Sequence, residues 1–330
     1  MIEKTNKSRI YMNSLFFVLV CYLVFSVNEN FIIFLVFAAI LVFSRTLKLT
    51  SFGIIVREKS PEKKLSRNEG VMFTSYNIAL VLGPLIAGTV LKIYGISYVF
   101  FLCSVSVFIA LTYFYNSKIN VANIKRKTDR DLLRNFKDFF KSKDRLFAYV
   151  IGGGVNFWWS LIYLFMPIYI VRNGLGVEWV GYFLFAAAFP LILFSYKFSQ
   201  IAGKIGFRKV FQLGFLIPAV FALFCFYSSN IYIIFLFLIF ASIGLAMLEP
   251  TTEAYFFDIL KGKEDLRFYG PYNTTIDFNR FLGGILSAFL LLFMPFKFIF
   301  LLFSIVMFLL FLLSFKTRNI IESRRDGKKN

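Results

Sequence analysis

The chain has 330 residues, of which 58% are hydrophobic and 47 are Phe, and its mean hydropathy of +0.72 excludes an ordinary soluble domain. There is no His, which removes His-based metal sites and His general bases, and the three cysteines lie in apolar segments without metal-ligand spacing. The formal net charge is +19, but its Lys and Arg residues concentrate in alternate connections between apolar segments. This positive-inside pattern is typical of a membrane protein and argues against nucleic-acid binding.

Ten apolar segments are long enough to cross a bilayer, which needs about 20 residues. Lipid cannot satisfy exposed backbone groups, and the segments are too long for barrel strands, so each is predicted to be a helix. The fold class is therefore an all-α polytopic membrane protein. The positive-inside pattern places both termini in the cytoplasm, which agrees with an even number of spans. The predicted spans are residues 10–28, 31–56, 69–94, 97–116, 147–171, 178–200, 209–228, 230–259, 268–293 and 296–315.

A basic linker, residues 117–146, separates four spans in residues 1–116 from six in residues 147–316, and a basic tail follows at 317–330. Within the linker, Asp131–Phe140 has apolar residues at helical spacing. This spacing predicts a short amphipathic helix on the inner membrane surface. A solvated tether between two bundles is a compatible alternative.

Residues 31–116 recur at 230–316 with a constant offset of 200 residues. Such a duplication is a signature of secondary transporters. Extended backward, the offset pairs the span at 10 with the span at 209, but the spans near 147 and 178 have no partner. The first bundle is therefore expected to lack its opening helical hairpin. Residues that match across the offset include Arg67, Gly70, Thr74, Leu82 and Gly83, with their counterparts Arg267, Gly270, Thr274, Leu282 and Gly283.

With this duplication the chain resembles the major facilitator superfamily (MFS), whose transporters have two six-helix bundles joined by a cytoplasmic loop. The ten spans would be helices three to twelve of that fold. Gly83 and Pro84, followed by Gly88, resemble the glycine-proline motif of the family's fifth helix. In the family this motif is associated with drug:proton antiport. The alternative is close helix packing at small residues with a bend at the proline.

The segment Ser199–Lys209 resembles the family's G-x-x-x-D-R-x-G-R-R loop, with matches at Gly206 and Arg208. Its acidic position is Gly203, which weakens any interhelical charge pairing in this copy.

Glu58 followed by Arg67 resembles the family's exit from helix four into helix five, and Asp258 and Arg267 repeat the pair with the same spacing. Acid and base at facing helix ends could form a cytoplasmic gating network. The alternative is an ordinary solvated ion pair worth about 0–1 kcal/mol.

Ionisable residues inside a membrane are costly, about 2.5–3.5 kcal/mol each on insertion scales, and usually face a cavity or a partner. Glu249 and Glu253 share one helix face, and two close carboxylates cannot both ionise cheaply, which is a property required of a proton carrier. Asp277 and Arg280, three residues apart, could pair internally. The alternative assigns the charges other than Glu249 to helix ends, where they snorkel or form structural pairs.

Arg45 lies where the family often carries a functional arginine, with Lys48 one turn beyond it. A run of three glycines, 152–154, precedes Asn156 and Trp159 and allows either local unwinding or close packing. Those two side chains could contact a substrate, or Trp159 could serve packing. The predicted substrate and proton pathway comprises Arg45, Lys48, Asn156, Trp159, Glu249, Glu253, Asp277 and Arg280.

The resemblance predicts a secondary active transporter, with proton-coupled efflux of a small amphipathic molecule by alternating access. We expect a monomer without cofactors in a bacterial cell membrane. The alternatives are a nutrient uptake permease and a truncated remnant without independent activity. A membrane-embedded enzyme would need a nucleophile–base or metal constellation, which the sequence does not supply.

Overall fold

The computed structural model describes residues 6–59, 65–119, 132–260 and 264–318. These ranges form helices and contain no strand. The chain divides into two compact units, Met1–Thr128 and Asp129–Asn330. The N-terminal unit contains α1 (Lys7–Val27), α2 (Phe31–Lys59), α3 (Leu65–Tyr94) and α4 (Ile96–Asn116). The C-terminal unit contains α5 (Leu132–Phe140), α6 (Lys143–Ser160), a π-helical segment (Leu161–Phe165), α7 (Met166–Arg172), α8 (Glu178–Ile205), α9 (Phe207–Tyr227), α10 (Ile231–Ile259), α11 (Glu264–Leu291) and α12 (Phe298–Ser314).

Seven helical stretches of the described chain are long and apolar enough to cross a membrane. Two shorter apolar helices, Ile78–Tyr94 in α3 and Phe298–Ser314, add to them, and α11 is more polar. The all-α membrane fold is thus confirmed, and every predicted span coincides with a helix. The number of ten spans stays a prediction. The seven stretches are Lys7–Val27, Phe31–Val56, Ile96–Asn116, Lys143–Arg172, Glu178–Ile205, Phe207–Tyr227 and Ile231–Ile259.

The sequence repeat is also a repeat of folded structure. Helices α1 and α9 begin and end 200 residues apart, as do α2 and α10. In the N-terminal unit α1 packs against α2 and α4, and in the C-terminal unit α9 packs against α10 and α12. Each unit therefore builds the same three-helix arrangement around its first repeated helix.

The turn before the second repeated helix is duplicated as well. The side chain of Asn30 accepts hydrogen bonds from the amides of Ile32 and Ile33, at 2.9 and 3.3 Å. Asn230 makes the same bonds to Tyr232 and Ile233, at 2.9 and 3.4 Å. These N-caps satisfy amides that have no partner within the helix, so both copies start α2 and α10 by the same local chemistry.

Glycines allow a close crossing of α9 and α10 in the C-terminal unit. A Cβ built on Gly214 would lie 2.7 Å from Leu248, and one on Gly244 would lie 2.6 Å from the Gly214 carbonyl oxygen. Only glycine therefore allows α9 and α10 this approach. The equivalent residues of the first repeat are Ser14 and Ser44, which are also buried. Both copies thus place small residues where these two helices cross.

Candidate functional site

Glu249 is the central residue of the candidate site. Its side chain is exposed, whereas Leu248 and Thr251 beside it on α10 are fully buried. It therefore points away from the core of the C-terminal unit. Trp159 on α6 and the positive charge of Arg280 on α11 both act on its carboxylate. Side chains from three helices thus converge around one carboxylate.

Trp159 is held firmly in place. It is only 5% exposed, and its ring stacks on Tyr163 with a centroid distance of 5.1 Å. Asn156, one turn earlier, is half-buried, and its amide donates to the Gly152 carbonyl at 3.1 Å. Trp159 is therefore positioned to orient Glu249, while Asn156 keeps its carbonyl oxygen as a remaining acceptor.

The glycine run serves close packing. A Cβ on Gly152 would lie 2.7 Å from the Tyr272 hydroxyl, and one on Gly153 would lie 2.5 Å from the amide nitrogen of Asn279. Helix α6 stays regular across the run and changes to the π-helical segment only after Ser160. Of the two interpretations that the sequence left open, local unwinding is wrong. The glycines let α11 approach α6, which brings Arg280 toward Glu249.

The internal pair expected between Asp277 and Arg280 is not formed. Both side chains are exposed, and no ion pair within 4.0 Å joins these two described residues. Spacing of three residues makes such a pair possible but does not impose it, because the long Arg side chain can turn elsewhere. Here the Arg280 charge acts on Glu249 of the neighbouring helix.

The second carboxylate of α10 has different surroundings. Glu253 is exposed and accepts a hydrogen bond from the Tyr269 hydroxyl of α11 at 3.0 Å. Nearby, the Tyr272 ring stacks on Phe256 with a centroid distance of 3.9 Å. The two tyrosines escaped the sequence analysis, because aromatic residues are abundant throughout this chain. Glu249 and Glu253 therefore have different neighbours, although both lie on one face of α10.

In the N-terminal unit, Arg45 is exposed and Lys48 is half-buried, one turn apart on α2. The Arg45 charge acts on Lys48 and on Tyr22 of α1. Neither cation forms an ion pair in the described chain. The two residues thus present adjacent positive charge within a predicted span.

Arg267 has its partners on α5, and the gating network predicted for Asp258 and Arg267 stays a prediction. The Arg267 guanidinium donates to the Asn135 side chain at 2.7 Å and to the Asp138 carboxylate, both on α5. Spacing alone could not reveal this, because α5 lies more than a hundred residues earlier in the chain. The side chains of Glu58 and Arg67 lie outside the described residues.

Helix α5 packs one face against the C-terminal unit; its predicted place on the inner membrane surface stays a prediction. Phe139 is fully buried, with its ring 6.0 Å from Tyr149 and 6.1 Å from Phe268. Arg145 of α6 donates to the main-chain oxygens of Asp138 and Phe139, at 2.8 and 3.2 Å. The apolar spacing of the linker revealed the helix but not this partner.

The remaining motif residues lie at a helix end, in a hydrogen bond to the main chain, or within α3. Gly206 ends α8 with a φ of +93°, a conformation that favours glycine. Arg208 donates two hydrogen bonds to the Thr317 carbonyl, at 2.8 and 2.5 Å, so it binds a main-chain oxygen after α12. Gly83 has open space around it, Pro84 is half-buried and Gly88 is buried. Close packing at Gly83 is therefore not observed.

A family model described as Major Facilitator Superfamily matches residues 1–205 and 186–330. The chain belongs to the Major Facilitator Superfamily. It is accordingly an integral, multi-pass membrane protein and a transporter. A search of curated proteins finds no match.

Solved structures share the MFS fold with this chain. A crystal structure of a POT family transporter in complex with a thioalcohol-conjugated peptide has a TM-score of 0.78 at 13% identity, covering 94% of this chain and 82% of that one. A POT family transporter with 5-aminolevulinic acid gives 0.77 at 13%, with the same coverages. A mutant of a peptide transporter POT with alafosfalin gives 0.75 at 11%, covering 95% and 80%.

Proposed function

We propose that this MFS protein is a proton-coupled secondary transporter that exports a small amphipathic molecule by alternating access. The observation that carries the proposal is Glu249, an exposed carboxylate within the apolar helix α10, beside Trp159 and Arg280. A charge inside a bilayer is costly, so such a group marks a substrate or proton path by default. Family membership supports secondary transport itself.

Glu249 is the proposed proton carrier and Arg280 its counter-charge. When Glu249 is ionised, the two opposite charges attract each other; when it is protonated, Arg280 is free to interact with a polar group of the cargo. Protonation thereby changes the affinity for cargo, and such a difference is what couples two ligands. Trp159, which is buried beside the carboxylate, limits the orientations that the carboxylate can take.

The other predicted pathway residues keep supporting roles in this proposal. Asn156, Glu253 and Asp277 supply polar groups on the C-terminal unit, and Arg45 and Lys48 supply cations on the N-terminal unit. Charges of both signs suit a cargo that carries polar groups on an apolar body. Export is favoured by the glycine-proline motif at Gly83, which resembles that of antiporters.

A second candidate function is uptake of a peptide-like nutrient. The observation that favours it is the fold likeness to POT family transporters solved with a conjugated peptide and with 5-aminolevulinic acid. The two candidates share the alternating-access mechanism and the role of Glu249, and differ in cargo and direction.

The test is transport by the purified protein in liposomes under an imposed pH gradient. We expect the gradient to drive flux of ethidium, used as an amphipathic probe, and Glu249→Gln to reduce this flux to that of protein-free vesicles. Glu29→Gln, in the exposed turn between α1 and α2, is the matched control and should transport like the wild type.

The outcomes separate the candidates. Gradient-driven flux of dialanine without flux of ethidium would establish uptake of a peptide-like cargo instead of export. Wild-type flux in Glu249→Gln would show that the proton is carried elsewhere. Flux of neither probe from a well-folded protein would favour a remnant without independent activity.

A further inference from the structure

Helix α5 has a second face that the C-terminal unit does not cover. Asn135 and Phe139, which are 5% and 0% exposed, turn toward the unit. Leu133 and Phe140, which are 85% and 42% exposed, are seven residues apart and therefore share the other side of the helix. This short helix of the polar linker thus exposes two large apolar side chains on its outer side.

Positive charge surrounds these apolar residues. Lys137, Lys141 and Lys143 are all exposed. The one acidic residue of α5 is Asp138, which binds Arg267 and also binds Lys141 at 3.0 Å. A carboxylate shared in this way cannot neutralise its surroundings, so the outward side of α5 carries a net positive charge.

The chain holds this surface close to the membrane. Helix α5 ends at Phe140, and Lys143 is the first residue of a helical stretch able to cross a bilayer, Lys143–Arg172. Three residues can separate their ends by at most about 11 Å. The exposed Leu146 lies in the first turns of that stretch. An apolar and basic surface therefore lies close to the point at which α6 can enter a bilayer.

We propose that this surface docks on anionic lipid headgroups of the membrane that α6 enters. We define it as the outer face of α5 together with the exposed residues at the start of α6, comprising Leu133, Lys137, Phe140, Lys141, Lys143 and Leu146. Apolar side chains of interfacial helices enter the headgroup boundary, while lysines at the surface bind anionic lipid. The linker helix is thus a lipid-dependent anchor that holds the start of α6 at the interface, independently of what the protein transports.

The test uses the full chain in nanodiscs, with Cys21, Cys103 and Cys225 replaced by Ala and an NBD fluorophore on Leu133→Cys. Emission is compared in phosphatidylcholine alone and in phosphatidylcholine mixed equally with phosphatidylglycerol. We expect brighter, blue-shifted emission with the anionic lipid, because the probe enters the headgroup boundary. The shift should weaken at high salt, since exposed charges are screened.

Charge variants identify the lysines responsible. Lys137→Gln and Lys141→Gln should each lower the docked fraction relative to the undocked by about five-fold, equivalent to about 1 kcal/mol per lysine near an anionic surface. The matched control is Lys204→Gln with Lys209→Gln, an exposed basic pair at the α8–α9 turn, which should leave the response of the probe unchanged. The proposal is overturned if NBD emission does not depend on phosphatidylglycerol, or if the α5 variants keep the full response.

Discussion

Gly83 and Gly283 occupy equivalent positions of the repeat but have different surroundings. A Cβ on Gly283 would clash with the Ser160 hydroxyl and lie 3.1 Å from the Ser160 Cβ, so rotating the hydroxyl would not relieve it. A Cβ on Gly83 would meet nothing within 4 Å. The same motif therefore performs close packing in one copy only.

The two alanine variants should consequently move stability in opposite directions. Gly283→Ala should lower the free energy of unfolding by about 1–3 kcal/mol through overpacking. Gly83→Ala should raise it by up to about 1 kcal/mol, because alanine favours the helix. Thermal unfolding of the purified protein in detergent measures both. Equal effects of the two substitutions would show that Gly283 is not in close contact with α6.

Asp138 gives the α5 contact a defined pH dependence. Hydrogen bonds from Lys141 and Arg267 lower the pKa of its carboxyl, against a smaller opposing effect of desolvation. A carboxyl with a lowered native pKa stabilises the packing of α5 on the C-terminal unit fully above its unfolded-state pKa of about 3.9. This contribution is lost as the pH falls through the native pKa.

We therefore expect amide hydrogen exchange of residues 132–140, corrected for intrinsic rates, to be constant from about pH 8 to 5 and to accelerate below about pH 4. Asp138→Asn should exchange faster than the wild type above the transition, exchange at the same rate below it, and lose the acid transition itself. An acid transition that persists in Asp138→Asn would assign it to another carboxyl.

At the scale of helices, the duplicated caps make a matched experiment possible. Asn30→Ala and Asn230→Ala should each lower the stability of the unit concerned by about 1 kcal/mol, because each leaves two amides without their side-chain acceptor. Asn30→Asp and Asn230→Asp should retain most of the stability, because the Asp carboxylate can accept the same hydrogen bonds. These changes in stability are measured by chemical denaturation, with the unfolding of each unit monitored by its susceptibility to protease. A loss from only one alanine variant would show that the two turns are not equivalent in solution.

Helix positions were readable from the sequence because each span is a long apolar run between polar connections. The predicted span 31–56 and the observed α2, Phe31–Lys59, start at the same residue. Partners were not readable. Asp258 and Arg267 repeat the spacing of Glu58 and Arg67, but the guanidinium turned to α5, since a hydrogen-bond partner depends on packing between distant segments. The same holds for Arg280, whose near neighbour in sequence is not its partner in space.

Across the whole molecule, the two copies of the repeat share their helix bounds and helix caps but differ in the charged residues within the helices. The crossing residues stayed small, the caps stayed Asn and the helix bounds stayed in register, while Leu49 of the first copy corresponds to Glu249 of the second. Leu80 likewise corresponds to Arg280. The pair of opposite charges on α10 and α11 therefore has no counterpart at the equivalent positions of the first copy, which is why we propose that the coupling chemistry lies in the C-terminal unit.

The number of spans depends on α11, whose composition is more polar than that of the other long helices. Its 28 residues extend for about 42 Å, more than the roughly 30 Å of a hydrocarbon core, so length permits a crossing. The positive-inside pattern also requires α11 to cross. The basic turn at 204–209 and the basic C-terminal tail lie on the same side of the membrane only if all four helices between them cross it. We therefore predict that the connection between α11 and α12 faces the outside.

Single cysteines in a cysteine-free background test this arrangement in intact cells with a membrane-impermeant maleimide. Met294→Cys, between α11 and α12, should react from outside, as should Tyr227→Cys, the positive control at the exposed C-terminal end of α9. Lys209→Cys should react only after permeabilisation. If Met294→Cys also requires permeabilisation, α11 does not cross, the C-terminal unit has an odd number of spans, and Arg280 reaches Glu249 from a helix that enters the membrane only in part.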